Sequence, residues 1–402
     1  MNIALDSSIK AVEFNDTEVD IVEFNGVEVW TKNTPIVTTV TRQTDFVTNT
    51  HSIIPTAAEL IASQVYSNIN RCNVSDNGSI NAYYGDNDYI EDGSNGQVIV
   101  YIPKFYYKMS PITLNGVKIM EGKWEISDVP QEGFTLHPAF YDASGNEIDY
   151  FLYGAFNGIG QNLQGVYDSA YNTTDDKLSS VAGSSYLPTT NITRATARIM
   201  ANNRGQGWYS IGVKQTMAIQ MLMSVEYGFN SQSSIGQGVV VANEATHTGQ
   251  TVGNVTSGTQ NNKTTPVNWR GIENFWGNVF DIVDGLNFNQ RVPYVCDTYN
   301  FVDDTSVGYT QINFAVPSSN YIAAFGYDSN NTWLLLPADK SSSNTPSIDD
   351  YLYSMTGWRT ARLGGSYIDD YYAGAFFWGC NYSSSTENAT VGARIMYIPT
   401  AS

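Results

Sequence analysis

Between Val12 and Val29 apolar residues fall at every second position on either side of two turns, and the pattern repeats. Val12, Phe14 and Val19 recur ten residues later as Val22, Phe24 and Val29, in two eight-residue blocks that match at six places. Each block has a turn dipeptide at its centre, Asn15-Asp16 or Asn25-Gly26, and so predicts a β-hairpin with a two-residue turn. An isolated hairpin is marginal in water, so residues 1–32 are expected to be a small attachment module that docks on another body or trimerises. From 33 to 75 the pattern loosens into a Thr-rich linker or stalk, with a short helix opening at Pro55. Gln97 to Lys108 is β-branched and aromatic throughout and predicts a strand that Pro103 ends or bulges. Two stretches carry strong helical signals. One is capped by Thr193 and runs to about Asn203, with Ala195 and Ile199 inward and Gly205 past its end. The other runs from about Lys214 to Tyr227, buries Met217, Ile219, Met221, Leu222 and Val225, and stops at Gly228. Two helices among short strands and Gly, Asn and Ser loops give an α+β class, with residues 76–402 as one large domain.

Composition narrows the partners. Of the 402 residues only 15% are charged, while aromatics reach 13% and include 27 Tyr. A typical domain is about one quarter charged, so this chain is polar but sparsely charged. Its formal net charge of -19 argues against a nucleic-acid partner, because backbone binding is driven by Lys and Arg displacing counterions. The first residues lack the basic and apolar regions of a signal peptide, and no later run is long enough for a membrane span, so synthesis and folding in a cytoplasm are expected. Cys72, Cys296 and Cys380 lie far apart, with neither a disulfide nor a zinc spacing. The histidines are His51, His137 and His247, and no HExxH, GxSxG or P-loop motif accompanies them.

Residues 362–398 have the composition of a binding surface. Gly364, Gly365 and Ser366 at one end, and Gly392, Ala393 and Arg394 at the other, frame a loop of Tyr, Asp, Asn, Ser and Phe. Tyr and Trp offer large contact area at low rotamer cost, and Ser, Asn and Gly offer adaptable hydrogen bonds.

An ordered set of motifs then carries a resemblance. Asp92 to Lys108, Gly133 to Phe140, Asn191 to Arg198 with Gly205 to Trp208, Arg270 to Asp281, and the terminal Arg362 to Ser366 with Gly392 to Arg394 follow one another along about three quarters of the chain. Together they resemble the C-type lectin fold shared by formylglycine-generating enzymes and by the variable proteins of diversity-generating retroelements, the phage tropism determinants among them. In detail they are most similar to phage tail proteins. The resemblance implies an adhesin at a phage tail tip or fibre: a virion protein whose C-terminal surface binds a host-cell surface receptor, protein or glycan. The hairpin module would then join it to other tail proteins, and a homotrimer is expected because linked weak contacts gain avidity.

The resemblance implies little catalysis. The enzymes act through paired cysteines near the C-terminal end of the fold, and here only Cys380 lies in that region. A tail-associated glycan hydrolase would have to use the acid pairs Asp303 and Asp304, Asp349 and Asp350, or Asp369 and Asp370. A bacterial display protein is the other alternative, disfavoured by the lack of an export or lipidation signal. The enzymes' calcium ligands fall on Asn274, Gly277, Val279 and Asp281, oxygen donors of the type Ca2+ prefers, with Asp in place of Glu. Arg359, Arg362 and Arg394 are expected to pair with buried acids and hold the frame. For the ligand surface the pattern selects Tyr367, Asp369, Asp370, Tyr371 and Tyr372 before a core Phe376, and Phe377, Trp378, Asn381 and Tyr382 after it. Retroelement diversification acts on adenines of AAC and AAT codons and cannot produce Lys, Glu, Gln, Met or Trp. Between Ser366 and Thr386 the first four are absent and Trp378 is the exception.

Overall fold

The Val213–Tyr227 helix is buried on every side, with thirteen of its fifteen residues inaccessible in the computed structural model. The helix carries Gln, Ser and Glu as well as Met and Leu, so each buried polar group needs a partner. Gln220 Nε2 donates to Ala375 O at 2.6 Å, and Gln215 Nε2 donates to Ala139 O at 3.1 Å. The last carbonyls are closed by Arg42, whose guanidinium donates to Val225 O at 2.8 Å and Glu226 O at 2.7 Å, a cation placed at the negative end of the helix dipole. The methionines are core, as the sequence predicts.

The structure describes residues 12–14, 17–19, 21–24, 27–31, 39–45, 50–114, 117–172, 174–258, 262–344 and 348–401. They fall into two units, Met1–Thr38 and Thr39–Ser402. In the first, Val12–Phe14 pairs with Thr17–Val19 and Ile21–Phe24 pairs with Val27–Thr31, both antiparallel. Phe14 faces Thr17 and Phe24 faces Val27, so each hairpin leaves two residues for its turn, as expected. The turn dipeptides themselves lie outside the described residues.

The second unit is mostly β, with five α-helices among the described residues. Beside the central helix lie three larger sheets. A five-stranded sheet runs Thr135–Leu136, Tyr106–Leu114, Val117–Ser127, Thr39–Asp45, Thr50–Ile53. A six-stranded sheet runs Trp208–Ser210, Ile395–Tyr397, Tyr150–Gly154, Gln97–Pro103, Asn70–Val74, Ile80–Tyr83. The third, of nine strands, includes Phe280–Asn289, Trp358–Leu363, Trp378–Cys380, Tyr351–Ser354 and Asn320–Phe325 as successive neighbours, and it carries the candidate site. No helix among the described residues is long and apolar enough to cross a membrane.

Two expectations change. Residues 39–75 are not a free linker: Thr39–Asp45 and Asn70–Val74 are sheet strands of the second unit, and the helices Ala57–Ala62 and Gln64–Ser67 lie between them. Val40, Val65, Tyr66, Cys72 and Val74 are buried, which is what the thinly spread apolar residues of this stretch are for. The Arg194–Asn202 helix is capped by Thr193, but it turns Ala197, Met200 and Ala201 inward while Ile199 is 45% exposed and Ala195 half-buried. Buried Arg194 selects that face, donating to Asp303 Oδ1 at 2.6 Å and Leu286 O at 2.8 Å, and Arg198 holds Asp284 at 2.7 Å. The strand opening at Gln97 ends at Pro103 as expected: Gln97–Pro103 and Tyr106–Leu114 are separate strands of two sheets, and pairing stops at Pro103, which lacks an amide donor.

Candidate functional site

The Trp358–Leu363 strand delivers the chain to Gly364 and Gly365, both left-handed at φ 92° and 81°. A Cβ on Gly364 would lie 2.6 Å from Phe275 O, and one on Gly365 would lie 2.7 Å from the Ala373 side chain, so both positions require glycine. The loop that follows is held from behind by backbone and polar contacts rather than by a core of its own. Tyr367 N donates to Asn278 O at 2.9 Å, and Asp370 N donates to Val240 O at 3.0 Å. Ser366 N and Oγ donate to Asp369 Oδ2 at 2.8 and 2.6 Å. Burial raises the Asp369 carboxyl, against the pull of these two donors. Asp370 pairs with Lys263, whose ammonium also sits 5.7 Å from the centre of the Tyr371 ring.

On this frame the tyrosines gather. Tyr371 is 53% exposed, and its ring lies 4.9 Å from that of Tyr372. Tyr372 rests on three rings from neighbouring strands: Tyr351 at 4.5 Å, Tyr321 at 5.7 Å and Tyr353 at 6.5 Å. All four of these are half-buried. Sequence reasoning missed Tyr321, Tyr351 and Tyr353 because they come from the strands Asn320–Phe325 and Tyr351–Ser354, far from the loop. The available signal was the alternation Tyr351-Leu352-Tyr353, in which Leu352 is buried and the tyrosines share the other face.

Beneath the patch lies an unusual pair of acids. Asp350 is fully buried beside Asp349, and its Oδ2 accepts from Phe376 N at 2.5 Å. Gly374 gives it room, since a Cβ there would come within 1.9 Å of the Asp350 Oδ1. Burial pushes Asp349 up to about 6, and burial together with its neighbour pushes Asp350 well above the usual carboxylate range. The other pairs are committed elsewhere: Asp303 holds Arg194 and Arg198, and Asp370 holds Lys263.

The second half of the expected surface is different. Phe377 and Trp378 are 0% and 1% exposed, so neither belongs to a ligand surface. Trp378–Cys380 is a central strand between Trp358–Leu363 and Tyr351–Ser354, and both its faces are covered. The uninterrupted run Phe377 to Cys380 carries the mark of such a strand. Phe376 is core, as expected. Asn381 and Tyr382 are half-buried and bind the frame: Asn381 Oδ1 accepts from Arg362 at 2.7 Å, and the same guanidinium lies 3.6 Å from the centre of the Tyr382 ring and 4.2 Å from that of Phe280. Arg362 therefore has aromatic rings and an amide where an acid was expected, and burial lowers its pKa to about 10. Arg359 likewise makes no ion pair among the described residues and donates to Trp358 O at 3.0 Å. Only Arg394 follows expectation, donating to Asp281 Oδ2 at 2.8 Å.

That ion pair bears on the expected calcium ligands. Asp281 is 2% exposed; Arg394 takes one of its oxygens and Asn157 Nδ2 takes the other at 3.0 Å. The same guanidinium donates to Asn274 O at 3.0 Å, Glu273 O at 2.9 Å and Gly154 O at 3.0 Å. The Asn274 side chain is buried with no hydrogen-bond partner among the described residues, while Gly277 packs against the Val239 backbone. As arranged, Asn274, Gly277, Val279 and Asp281 do not fit a calcium ion, because a buried guanidinium already neutralises the one carboxylate and would repel a second cation. The three cysteines are free and buried, and burial pushes the Cys72 and Cys380 thiols up to about 12. His137 is fully buried among aromatic rings and pushed down to about 3, so it is neutral.

No protein-family model and no curated protein sequence matches the chain. Among solved structures it is similar to the Major Tropism Determinant U1 Variant, at 13% identity over 82% of this chain and 71% of that one, with a TM-score of 0.28. The Major Tropism Determinant M1 Variant is similar at 13% identity over 94% of this chain and 78% of that one, also with a TM-score of 0.28. Scores this low transfer no residue roles.

Proposed function

We propose that this protein is an adhesin, a receptor-binding protein of a phage tail tip or fibre with a C-type-lectin-like domain, which presents the tyrosine patch to a protein or glycan on the host-cell surface. The supporting observation is the contrast within one loop. Tyr371 and Tyr372 stand at the surface on rings from two other strands, while the glycines and polar contacts behind them fix the backbone. Loops held on a rigid scaffold are where binding residues concentrate. Tyr321, Tyr351 and Tyr353 extend the patch, Tyr367, Asp369 and Asp370 shape its edge, and Asn381 and Tyr382 set the frame through Arg362. The chemistry is recognition rather than catalysis, with the hairpin module joining the virion, a trimer supplying avidity, and retroelement diversification of the loop as a source of altered specificity.

The test is Tyr371→Ala with Tyr372→Ala. Adsorption of virions, or binding of the purified protein, to host cells should be lost while the melting temperature moves by no more than about 2 °C. Retained adsorption would remove the patch as the receptor site.

A further inference from the structure

A concavity lies away from the patch: a cleft of about 490 Å³ between the end of the Arg194–Asn202 helix, the Trp208–Ser210 strand and the turn after Val292–Cys296. That turn follows a strand near one end of the nine-stranded order, whereas Tyr351–Ser354 and Asn320–Phe325 lie near the other end. The aromatic wall of the cleft is fixed. Tyr209 and Tyr299 lie 5.0 Å apart with their planes at 34°. The Tyr299 hydroxyl accepts from Gln215 Nε2 at 2.8 Å and donates to Tyr141 O at 2.9 Å. Trp208 Nε1 donates to Asp76 O at 2.7 Å. Around the wall stand the exposed carboxamides of Asn202, Gln206 and Asn300, whose side chains make no hydrogen bond among the described residues. No carboxylate and no cation lines this cleft, in a chain of net charge -19.

Each feature selects the same ligand chemistry. A carboxamide donates and accepts at once, as a sugar hydroxyl does, so three free carboxamides match a polyol better than an ion. The half-buried Tyr209 and Tyr299 rings, with buried Trp208 behind them, offer apolar ring surface that suits the apolar C–H face of a pyranose. The volume falls within the range of small-molecule sites. We propose that this cleft is a binding site for a neutral saccharide of one or two residues, separate from the tyrosine patch.

The test uses the full chain and a panel of neutral disaccharides, namely maltose, cellobiose, lactose and N,N′-diacetylchitobiose, titrated calorimetrically to about 20 mM, with glucuronic acid as the charged control. At least one neutral member should bind with a dissociation constant near or below about 1 mM. Tyr209→Ala should weaken it at least about tenfold, as should Asn300→Ala, an exposed change that keeps the test open if Tyr209→Ala fails to fold. Tyr371→Ala with Tyr372→Ala should leave it unchanged. Absence of binding across the panel, equal binding by Asn300→Ala, or preference for glucuronic acid would overturn the proposal.

Discussion

Replacing Arg394 with Met tests the buried centre of the frame, because it keeps most of the side-chain volume and removes the charge and all the donors. Arg394 is 0% exposed, and its guanidinium serves Asp281 and the carbonyls of Gly154, Glu273 and Asn274. Removing one partner of a buried ion pair typically costs about 3–5 kcal/mol, since the remaining charge stays in a medium that solvates it poorly. Each abandoned carbonyl adds about 1 kcal/mol or more. Protonation limits the loss, because burial already raises the Asp281 carboxyl and Arg394 is what holds it down. A net loss of about 4 kcal/mol is expected at pH 7. For a unit of roughly 360 residues, with an unfolding entropy of about 2 cal/mol/K per residue, that corresponds to about 5 °C in melting temperature. Thermal unfolding should be followed at pH 7 with calcium and with a chelator, and again at pH 4.5. The shift should shrink at the lower pH as Asp281 takes a proton, and Asp281→Asn added to Arg394→Met should recover about half of it. A shift under about 1.5 °C, or a double variant no better than Arg394→Met alone, would refute the reasoning. A chelator effect on the unmodified protein that Asp281→Asn abolishes would restore calcium as the counter-ion.

Trp378→Ala should lower the melting temperature by about 4–6 °C, the cost of emptying a large core position, whereas Tyr371→Ala should stay within about 1 °C; similar shifts for the two would contradict their assignment to core and surface. The acids Asp349 and Asp350 have folded-state values above the ordinary 3.8, so their protonated form favours the fold; that contribution is complete below about pH 4 and is lost as the pH rises, for Asp349 through about 6. Asp350→Asn should therefore stabilise the protein at pH 7.5 and do little at pH 4, and a difference independent of pH would count against the buried pair. Gly374→Ala should destabilise strongly, because its Cβ has no space beside Asp350, and Asp350→Ala should partly rescue it. In a natural population, substitutions between Tyr367 and Ser385 should be confined to adenine positions of AAC and AAT codons, with Gly364, Gly365 and Trp378 constant; a uniform spread along the domain would rule out diversification.

The residues that announced themselves in the sequence were those whose signal is local. Asn25-Gly26 between alternating valines, Thr193 before a helical run, Gly228 after one and Pro103 closing a strand each act through the backbone of a few neighbours, and the strands and helices they delimit are present. The loop from Gly364 to Tyr372 was legible for the same reason: glycine composition and a tyrosine-rich run mark a held loop without reference to the rest of the chain. Burial is a different quantity, because it depends on what covers a residue. Trp378 entered a central strand only when Tyr351–Ser354 paired beside it in parallel, and Phe377 was covered by Tyr353 and Phe280, contacts between segments with no local sign of each other. Tyr321 and Tyr351 joined the patch by the same long-range assembly, and Ile199 lost the inward face of its helix to Arg194 because Asp303, more than a hundred residues away, was there to receive the charge. Asp281 offers the oxygens of a metal ligand when read alone; whether it meets an ion or a guanidinium was decided by where the fold places Arg394. Sequence thus determined the elements and the chemistry available at each position, and tertiary structure decided which groups meet, since contact and desolvation belong to pairs of residues that the chain alone does not bring together.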